Sequence, residues 1–204
     1  MIRFQVPHMN QLQLLAGEIV RRLAEWTDRW HETSMRPETD APWNIIERNH
    51  RMNFGLWHEE DGARREDLGF ERVCEAKRKI DRFNQARNDA IEQMDVWLLQ
   101  QLPPAGPESP LHSETPGMII DRLSILSLKL YHMRIEATRA SAGEAHRRKC
   151  AEKCKILEEQ FHDLKNCLEE FLAELEKGVR RFKLYRQFKM YNDTSLNPEL
   201  YNHP

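Results

Sequence analysis

The sequence predicts an all-α protein, a bundle of four to five helices with a long coiled-coil-like C-terminal helix and a short irregular tail. Apolar residues recur three and four positions apart over most of the chain, which is the period of an amphipathic helix. Strand and hairpin signals are nearly absent, and the chain has only 8 glycines. A length of 204 residues suits one domain with a buried core, so we treat residues 1–204 as a single helical domain.

The first two predicted helices differ in what they place on their inner faces. The first, about residues 8–32, carries an apolar stripe of Leu12, Ala16, Ile19, Leu23, Trp26 and Trp30. Pro37 and Pro42 then interrupt the helical pattern. The second helix, about residues 43–65, instead mixes apolar residues with amides and charges on one side: Ile46, Asn49, His50, Asn53, Leu56, Trp57, Glu60 and Arg64.

The third predicted helix, about residues 67–101, contains the most informative residue of the chain, Arg87. At about 100° per residue, Arg87 lies within the apolar arc that includes Ile80 and Met94. Burying a guanidinium costs several kcal/mol unless it is paired, so carboxylates or a bound anion must meet Arg87 in the core. A polar stripe runs beside the arc: Lys77, Asp81, Asn84, Asn88, Glu92 and Asp95.

The fourth predicted helix, about residues 116–141, follows a proline-rich connector that spans residues 102–116. Thr115 and Pro116 mark its start, because threonine caps free backbone amides and proline is favoured at the first helical position. The helix is apolar on every side, which predicts a central place in the bundle. Four polar residues are embedded in it, and some of them must find buried partners: Asp121, Arg122, Lys129 and His132.

The fifth helix is the longest, with apolar residues in threes and fours from Cys154 to Phe182. This spacing predicts a seam, either against the fourth helix or against a second copy of the chain in a homodimer. The tail, residues 190–204, is polar and rich in turn signals.

Composition excludes some classes of function. The chain has 31 Lys and Arg against 33 Asp and Glu, so we expect no bulk binding to nucleic acid or to an anionic membrane. No run of about 18 apolar residues occurs, and the opening residues do not resemble a signal peptide, so we expect a cytoplasmic protein without a membrane span. The four cysteines lie in helical patterns, which favours reduced, structural thiols.

The cationic and amide side chains of these helices suggest an anion site. Arg64, Arg87, Arg122 and Lys129 are placed to frame a phosphate, because guanidinium donors match its oxygens. Asn53, Asn84, Asn88 and His132 would bond sugar hydroxyls, and Trp57 would either pack or stack on the ligand. The plainer interpretation is that these charges pair with one another, Arg87 with Asp121 or Glu60, and only set the helix register.

A magnesium site is the third alternative. Glu92 and Asp95 form the Glu-x-x-Asp half of the pattern by which all-helical nucleotide pyrophosphohydrolases bind magnesium. The Glu-x-x-Glu half is not met, because Gly62 and Ala63 stand three residues after Glu59 and Glu60. Magnesium is therefore the cofactor that this alternative predicts, with Glu92 and Asp95 as its ligands.

Four segments of the chain resemble a bacterial family of about two hundred residues, a helical domain of unknown function. The resemblance spans residue 43 to the end of the chain, and the residues that carry it are 56–61 with 63–64, 80–82 and 84–89 with 92 and 95, 113–117 and 121–126 with 129 and 131–133, and 185–193 with 197–198. The family has no established activity, so the resemblance implies no catalytic residue. Its genes often neighbour glycosyltransferases of envelope glycans such as lipopolysaccharide, which implies a sugar-phosphate or nucleotide-sugar ligand.

The resemblance adds Ser113 and Glu114, at the start of the fourth helix, to the candidate site. Backbone amides at a helix start attract phosphate, so we expect this start and Arg87 to line one pocket. The leading hypothesis is binding or processing of a phosphorylated sugar or nucleotide-sugar, and the others are a non-enzymatic accessory protein of a glycosyltransferase and the pyrophosphohydrolase. The candidate ligand-binding residues are Asn53, Trp57, Glu60, Arg64, Asp81, Asn84, Arg87, Asn88, Ser113, Glu114, Asp121, Arg122, Lys129 and His132.

Overall fold

The computed structural model describes residues 11–33, 36–188 and 193–201, and its long elements are all α-helices. No β-strand occurs in these ranges, so the predicted all-α class is confirmed. The elements are α1 (Gln11–Glu32), α2 (Trp43–Ala63), a 3-10 turn (Glu66–Leu68), α3 (Phe70–Gln101), α4 (Pro116–Thr138), α5 (Glu144–Glu176) and a short α6 (Pro198–Tyr201).

The helices pack as two hairpins and one covering helix. α2 lies along α3 and α4 lies along α5, while α1 packs against α5 and α4. The core between them is built from apolar residues at helical spacing, among them Ile19, Leu23, Met94, Leu98, Ile120, Leu123, Leu168 and Leu172. No helix in the described part of the chain is long and apolar enough to cross a membrane.

The position of α4 follows the prediction made from its composition. It contacts α1, α2, α3 and α5, which is why it needs apolar residues on every side. Thr115 is its N-cap and accepts a hydrogen bond from the Met118 amide at 3.2 Å, with Pro116 at the first helical position. The predicted start of the helix is confirmed.

Several helix ends differ from the predicted ones. α5 stops at Glu176 and does not continue to Phe182, because Gly178 adopts a φ of 68° and closes a terminal turn in which the Val179 amide donates to the Glu174 carbonyl. Phe182 is nevertheless buried, so the apolar pattern continued in a non-helical segment. The bounds of α2, α3 and α4 differ from the predicted ones by at most three residues.

The connector and the tail also depart from a purely irregular chain. Leu111 in the connector forms an isolated bridge with Arg181, which ties the connector to the segment after α5. In the tail, α6 forms one helical turn where irregular structure is predicted. The predicted helical residues 8–10, and residues 190–192 and 202–204 of the tail, lie outside the described residues.

Candidate functional site

A chain of buried hydrogen bonds crosses the core between α1, α2 and α4. His50 is fully buried at its centre, with Nε2 2.9 Å from Thr27 Oγ1 and Nδ1 2.8 Å from Ser124 Oγ. The Thr27 hydroxyl donates its proton to the Leu23 carbonyl at 2.8 Å, so its oxygen must accept from His50. His50 therefore carries its proton on Nε2 and accepts from Ser124 at Nδ1. Burial lowers the pKa of His50 to about 3, which keeps the ring neutral.

The same chain of hydrogen bonds continues to Asp121 on α4. The side-chain amides of Asn49 and Asn53 both donate to Asp121 Oδ1, at 2.9 and 2.8 Å. The Asn53 amide also donates to Ser124 Oγ at 2.9 Å, which joins the two halves. We call the connected residues Thr27, His50, Ser124, Asn53 and Asp121 the polar chain.

Arg87 stands at the Asp121 end of the polar chain. Its Nε lies 3.9 Å from Asp121 Oδ1, and the Arg87 side chain is 26% exposed. This places Arg87 inward and beside Asp121, as the sequence predicts. The distance is too long for a hydrogen bond, however, and the buried Nε has no hydrogen-bond partner among the residues described.

A pocket of about 310 Å³ opens between α2, α3 and α4 at this point, and we call it the Arg87 pocket. Three of its lining side chains are apolar, Leu56, Ile125 and Leu128. The others are an amide, an indole and charged groups: Asn53, Trp57, Glu60, Asp61, Arg64 and Arg87. Glu60 pairs with Arg64 at 3.1 Å rather than with Arg87. The pocket therefore offers hydrogen-bond donors and acceptors around an apolar floor.

Aromatic rings hold Trp57 in the pocket wall. The Trp57 and His132 rings stack with centroids 4.5 Å apart and an interplanar angle of 2°. The His31 and His58 rings lie 5.1 and 6.0 Å from the His132 ring, edge to face. Burial lowers the pKa of His132 to about 4 and also lowers the pKa of His58, so these rings are uncharged at neutral pH.

The structure brings only part of the predicted site together. Asn53, Trp57, Glu60, Arg64 and Arg87 line the pocket, and Asp121 and His132 contact its wall from behind. Asn88 is buried and Asn84 is half-buried on α3, and neither lines the pocket. The remaining predicted ligand-binding residues lie elsewhere: Asp81, Ser113, Glu114, Arg122 and Lys129.

The prediction that these residues line an internal site is wrong for four of them, because their side chains reach solvent. Asp81, Ser113, Arg122 and Lys129 are exposed. Arg122 and Lys129 line a separate cleft against α5, and Arg122 pairs with Glu114 at 2.9 Å. For Arg122 and Lys129, the physical reason is that a helix apolar on every side, such as α4, has no outward face that its sequence alone identifies. Asp81 lies on α3, and Ser113 precedes α4 in the connector.

The prediction that the start of α4 and Arg87 line one pocket is also wrong. Asp95 Oδ1 accepts a hydrogen bond from the Gly117 amide at 2.8 Å, so a carboxylate of α3 already occupies this helix start. Burial raises the pKa of Asp95 to about 6, against the hydrogen bonds from Thr115 and Gly117 that lower it. The contact joins α3 to α4 tightly and leaves Ser113 and Glu114 outside the Arg87 pocket.

The two candidate magnesium ligands have different partners. Glu92 accepts from Arg186 Nη1 and from the Gln187 amide, both at 2.8 Å, whereas Asp95 faces α4. In residues 11–33, 36–188 and 193–201, no group of three or more His, Cys, Asp or Glu side chains is arranged to hold a metal ion. The magnesium site stays a prediction made from the sequence.

Three residues that form buried hydrogen bonds are not among the predicted site residues: Thr27, Ser124 and Ser127. Asp121, Ser124 and Ser127 follow one another at intervals of three on α4, which forms a polar line on an apolar helix. The sequence shows this line of polar residues, but a search for charged residues finds only Asp121, because serine is uncharged. Thr27 gives no comparable signal, because it stands alone among the apolar residues of α1.

One comparison with known proteins finds a match. Residues 43–184 match the family described as Protein of unknown function (DUF4254). No curated protein and no solved structure matches the chain. The matched residues include the Arg87 pocket and all of the polar chain except Thr27, which lies on α1.

Proposed function

The chain belongs to the family described as Protein of unknown function (DUF4254), and we propose that it binds a phosphorylated sugar in the Arg87 pocket. The observation that carries the proposal is the buried Nε of Arg87, which has no hydrogen-bond partner in the part of the chain described. Such a donor costs about 1–3 kcal/mol when it is left unpaired. A phosphate oxygen would supply its acceptor in a charge-assisted hydrogen bond.

The other charges of the pocket suit the hydroxyl groups of a sugar. Glu60 and Asp61 are carboxylates at the pocket wall that accept hydrogen bonds, and Asp61 is exposed. Arg64 is bound to Glu60, and 69% of its side chain is exposed, so it is able to move toward a second anionic oxygen. A ligand with one anionic group and several hydroxyls uses all of these groups, whereas inorganic phosphate uses only the arginines.

The apolar part of the pocket suits the carbon-bound face of a sugar ring. Leu56, Ile125 and Leu128 form the floor, and Trp57 supplies an amphipathic ring beside it. Small-molecule pockets range over about 300–1,000 Å³. At about 310 Å³ the Arg87 pocket suits a sugar monophosphate, and the nucleoside of a nucleotide-sugar would extend outside it. The process we propose is the biosynthesis of envelope glycans, which the family resemblance implies.

Thermal-shift and calorimetric titrations test the proposal with four probes: glucose 1-phosphate, glucose, inorganic phosphate and UDP-glucose, each with and without magnesium. We expect glucose 1-phosphate to raise the melting temperature more than glucose or phosphate, without magnesium. A ligand at a hundred times its Kd adds about 2.7 kcal/mol to the free energy of unfolding. We expect Arg87→Met to abolish this shift and Arg78→Met, an exposed arginine of the same helix, to retain it.

The proposal is overturned if none of the four probes binds, or if Arg87→Met binds them as well as the unchanged protein does. Stabilisation that requires magnesium and is lost in Glu92→Gln would support the pyrophosphohydrolase instead.

A second candidate function is the accessory protein of a glycosyltransferase. Several exposed large apolar residues follow α5, among them Val179 at 56% and Phe188 at 86% exposed, and such side chains favour a protein partner. We expect a glycosyltransferase to co-purify with the chain and to be lost in Phe188→Ser. Phe70→Ser is the matched control, because Phe70 is 84% exposed and lies at the start of α3, outside the segment that follows α5. Equal recovery with both variants would exclude docking through this segment.

A further inference from the structure

A second and larger cavity, of about 700 Å³, lies between α1, α4 and α5. It shares no lining residue with the Arg87 pocket, and we call it the α1–α4–α5 cavity. Its walls are largely apolar and include Val20, Leu130, Ile135 and Phe161. A cavity of this size and composition is typical of sites for small organic molecules.

The inner end of this cavity contains two buried hydroxyls. Thr27 and Ser127 are 1% and 6% exposed, and their oxygens lie 3.3 Å apart. Thr27 donates its only proton to the Leu23 carbonyl, so Ser127 is the donor between the two hydroxyls. The protons of both hydroxyls are therefore used within the protein. Both lone pairs of Thr27 are also used, because its oxygen accepts from His50 Nε2 and from Ser127. This end of the cavity therefore presents the lone pairs of Ser127 and has no hydroxyl proton left for an anionic ligand.

The ionisable residues that line the cavity are Asp28, Arg134, Glu158, His162 and Lys165. Arg134 pairs with Glu158 at 2.8 Å, and Lys165 pairs with Glu169. Asp28 has neither a hydrogen-bond nor an ion-pair partner in the ranges that the structure describes. The carboxylate of the cavity lining that remains uncompensated is therefore Asp28.

Tyr131 lies close enough to Asp28 for the carboxylate charge to act on its phenol. Burial raises the pKa of the Tyr131 phenol, and the charges of Asp28 and Glu32 raise it further. Tyr131 lines the cavity and stacks on His31 with ring centroids 4.1 Å apart, so its position is held from behind. A carboxylate beside an aromatic ring is a favourable environment for an organic cation.

We propose that the α1–α4–α5 cavity binds an amphipathic organic amine, with its ammonium group beside Asp28 and its apolar body against Leu130 and Phe161. The apolar walls bind a hydrocarbon body of any charge, so the free carboxylate decides in favour of a cation. The lone pairs of Ser127 act in the same direction, because they accept hydrogen bonds from a donor and repel an anion.

Calorimetry with three probes of equal chain length tests the proposal: octylamine, octanol and octanoate, at neutral pH and below the concentrations at which they aggregate. We expect one octylammonium ion to bind per chain, more tightly than octanol, and octanoate to bind least. We expect Asp28→Asn to weaken octylammonium binding by about fivefold and to leave octanol binding unchanged, which is the effect of one exposed ion pair. The matched control is Glu152→Gln, an exposed carboxylate of α5 that does not line the cavity.

A second variant separates the cavity from the surface. Ala24 lines the cavity and is exposed, so Ala24→Trp fills the space without disturbing the core, and we expect it to abolish binding of all three probes. The proposal is overturned if octylammonium does not bind, if octanoate binds as tightly, or if Asp28→Asn or Ala24→Trp binds octylammonium normally. We expect Arg87→Met to retain octylammonium binding, so this test is independent of the sugar-phosphate proposal.

Discussion

The guanidinium of Arg87 on α3 faces the carboxylate of Asp121 on α4, with 3.9 Å between Nε and Oδ1. Asp121 takes its hydrogen bonds from Asn49 and Asn53 of α2 instead. The two charges are therefore close without being locked together. We therefore expect the two residues to contribute differently to the free energy of unfolding.

Removing Asp121 should cost far more than removing Arg87. Asp121→Ala leaves the buried amides of Asn49 and Asn53 without their acceptor and Arg87 without its counter-charge, so we expect a loss of roughly 3–5 kcal/mol. Arg87→Met removes a weakly paired cation together with a buried donor that has no partner, so these effects oppose each other and we expect a change of less than about 1 kcal/mol. Urea unfolding measures both values. Equal losses in the two variants would contradict this assignment of hydrogen bonds.

His50 holds α1, α2 and α4 together through its two ring nitrogens. His50→Phe fills the space but leaves the Ser124 hydroxyl without its acceptor and Thr27 without one of its two donors, so we expect a loss of about 2–4 kcal/mol. The matched change His162→Phe, at an exposed position of α5, should stay within about 0.5 kcal/mol. Guanidinium unfolding of both variants checks the difference, and a small effect at His50 would mean that the buried hydrogen bonds add little.

The buried histidines predict a loss of stability in mild acid. The folded-state pKa is about 3 for His50 and about 4 for His132, against 6.5 for an ordinary imidazole. Below pH 6.5 the unfolded chain therefore binds more protons than the folded chain, and the free energy of unfolding falls as the pH drops from 6.5 toward 4. Unfolding measurements at pH 7.5, 6 and 5 follow this fall.

Two variants separate the groups that contribute to this pH dependence. His132→Phe keeps a ring against Trp57 and should flatten the acid loss. Asp95 acts in the opposite direction: its folded-state pKa of about 6 lies above the ordinary 3.8, so its contribution grows as the pH falls through 6. Asp95→Asn should therefore steepen the loss. A free energy of unfolding that does not change between pH 7.5 and 5 in the Asp95→Asn variant, where this compensation is absent, would contradict the buried, neutral histidines.

Gly117 should tolerate no side chain. A Cβ at this position would lie 2.7 Å from the Ile91 carbonyl oxygen and 2.8 Å from Asp95 Oδ1, so Gly117→Ala must push α3 away from α4. We expect it to destabilise the protein by about 1–3 kcal/mol. Gly17→Ala is the control on α1, where no atom lies within 4 Å, and it should stabilise by about 0.5–1 kcal/mol. Thermal unfolding of both variants shows whether the sign reverses.

Local patterns were sufficient to predict much of this protein. The helical period, the Thr115 cap and the apolar arc around Arg87 depend on residues within a few turns of one another, and the sequence displays them directly. The polar inner face of α2 follows from the same reasoning, and Asn49, His50 and Asn53 are all buried. These features remain correct whatever the helices pack against.

The contacts between helices had to come from the tertiary structure. Asn49 and Asp121 are 72 positions apart in the chain, and no local pattern specifies which donor reaches which acceptor over that separation. The exposed positions of Arg122 and Lys129 depend on where α5 crosses α4, which an apolar surface on every side of α4 leaves undetermined. Helical periodicity therefore determined which residues share a face, and only the packing of the helices decided which of those faces meet and where cavities remain between them.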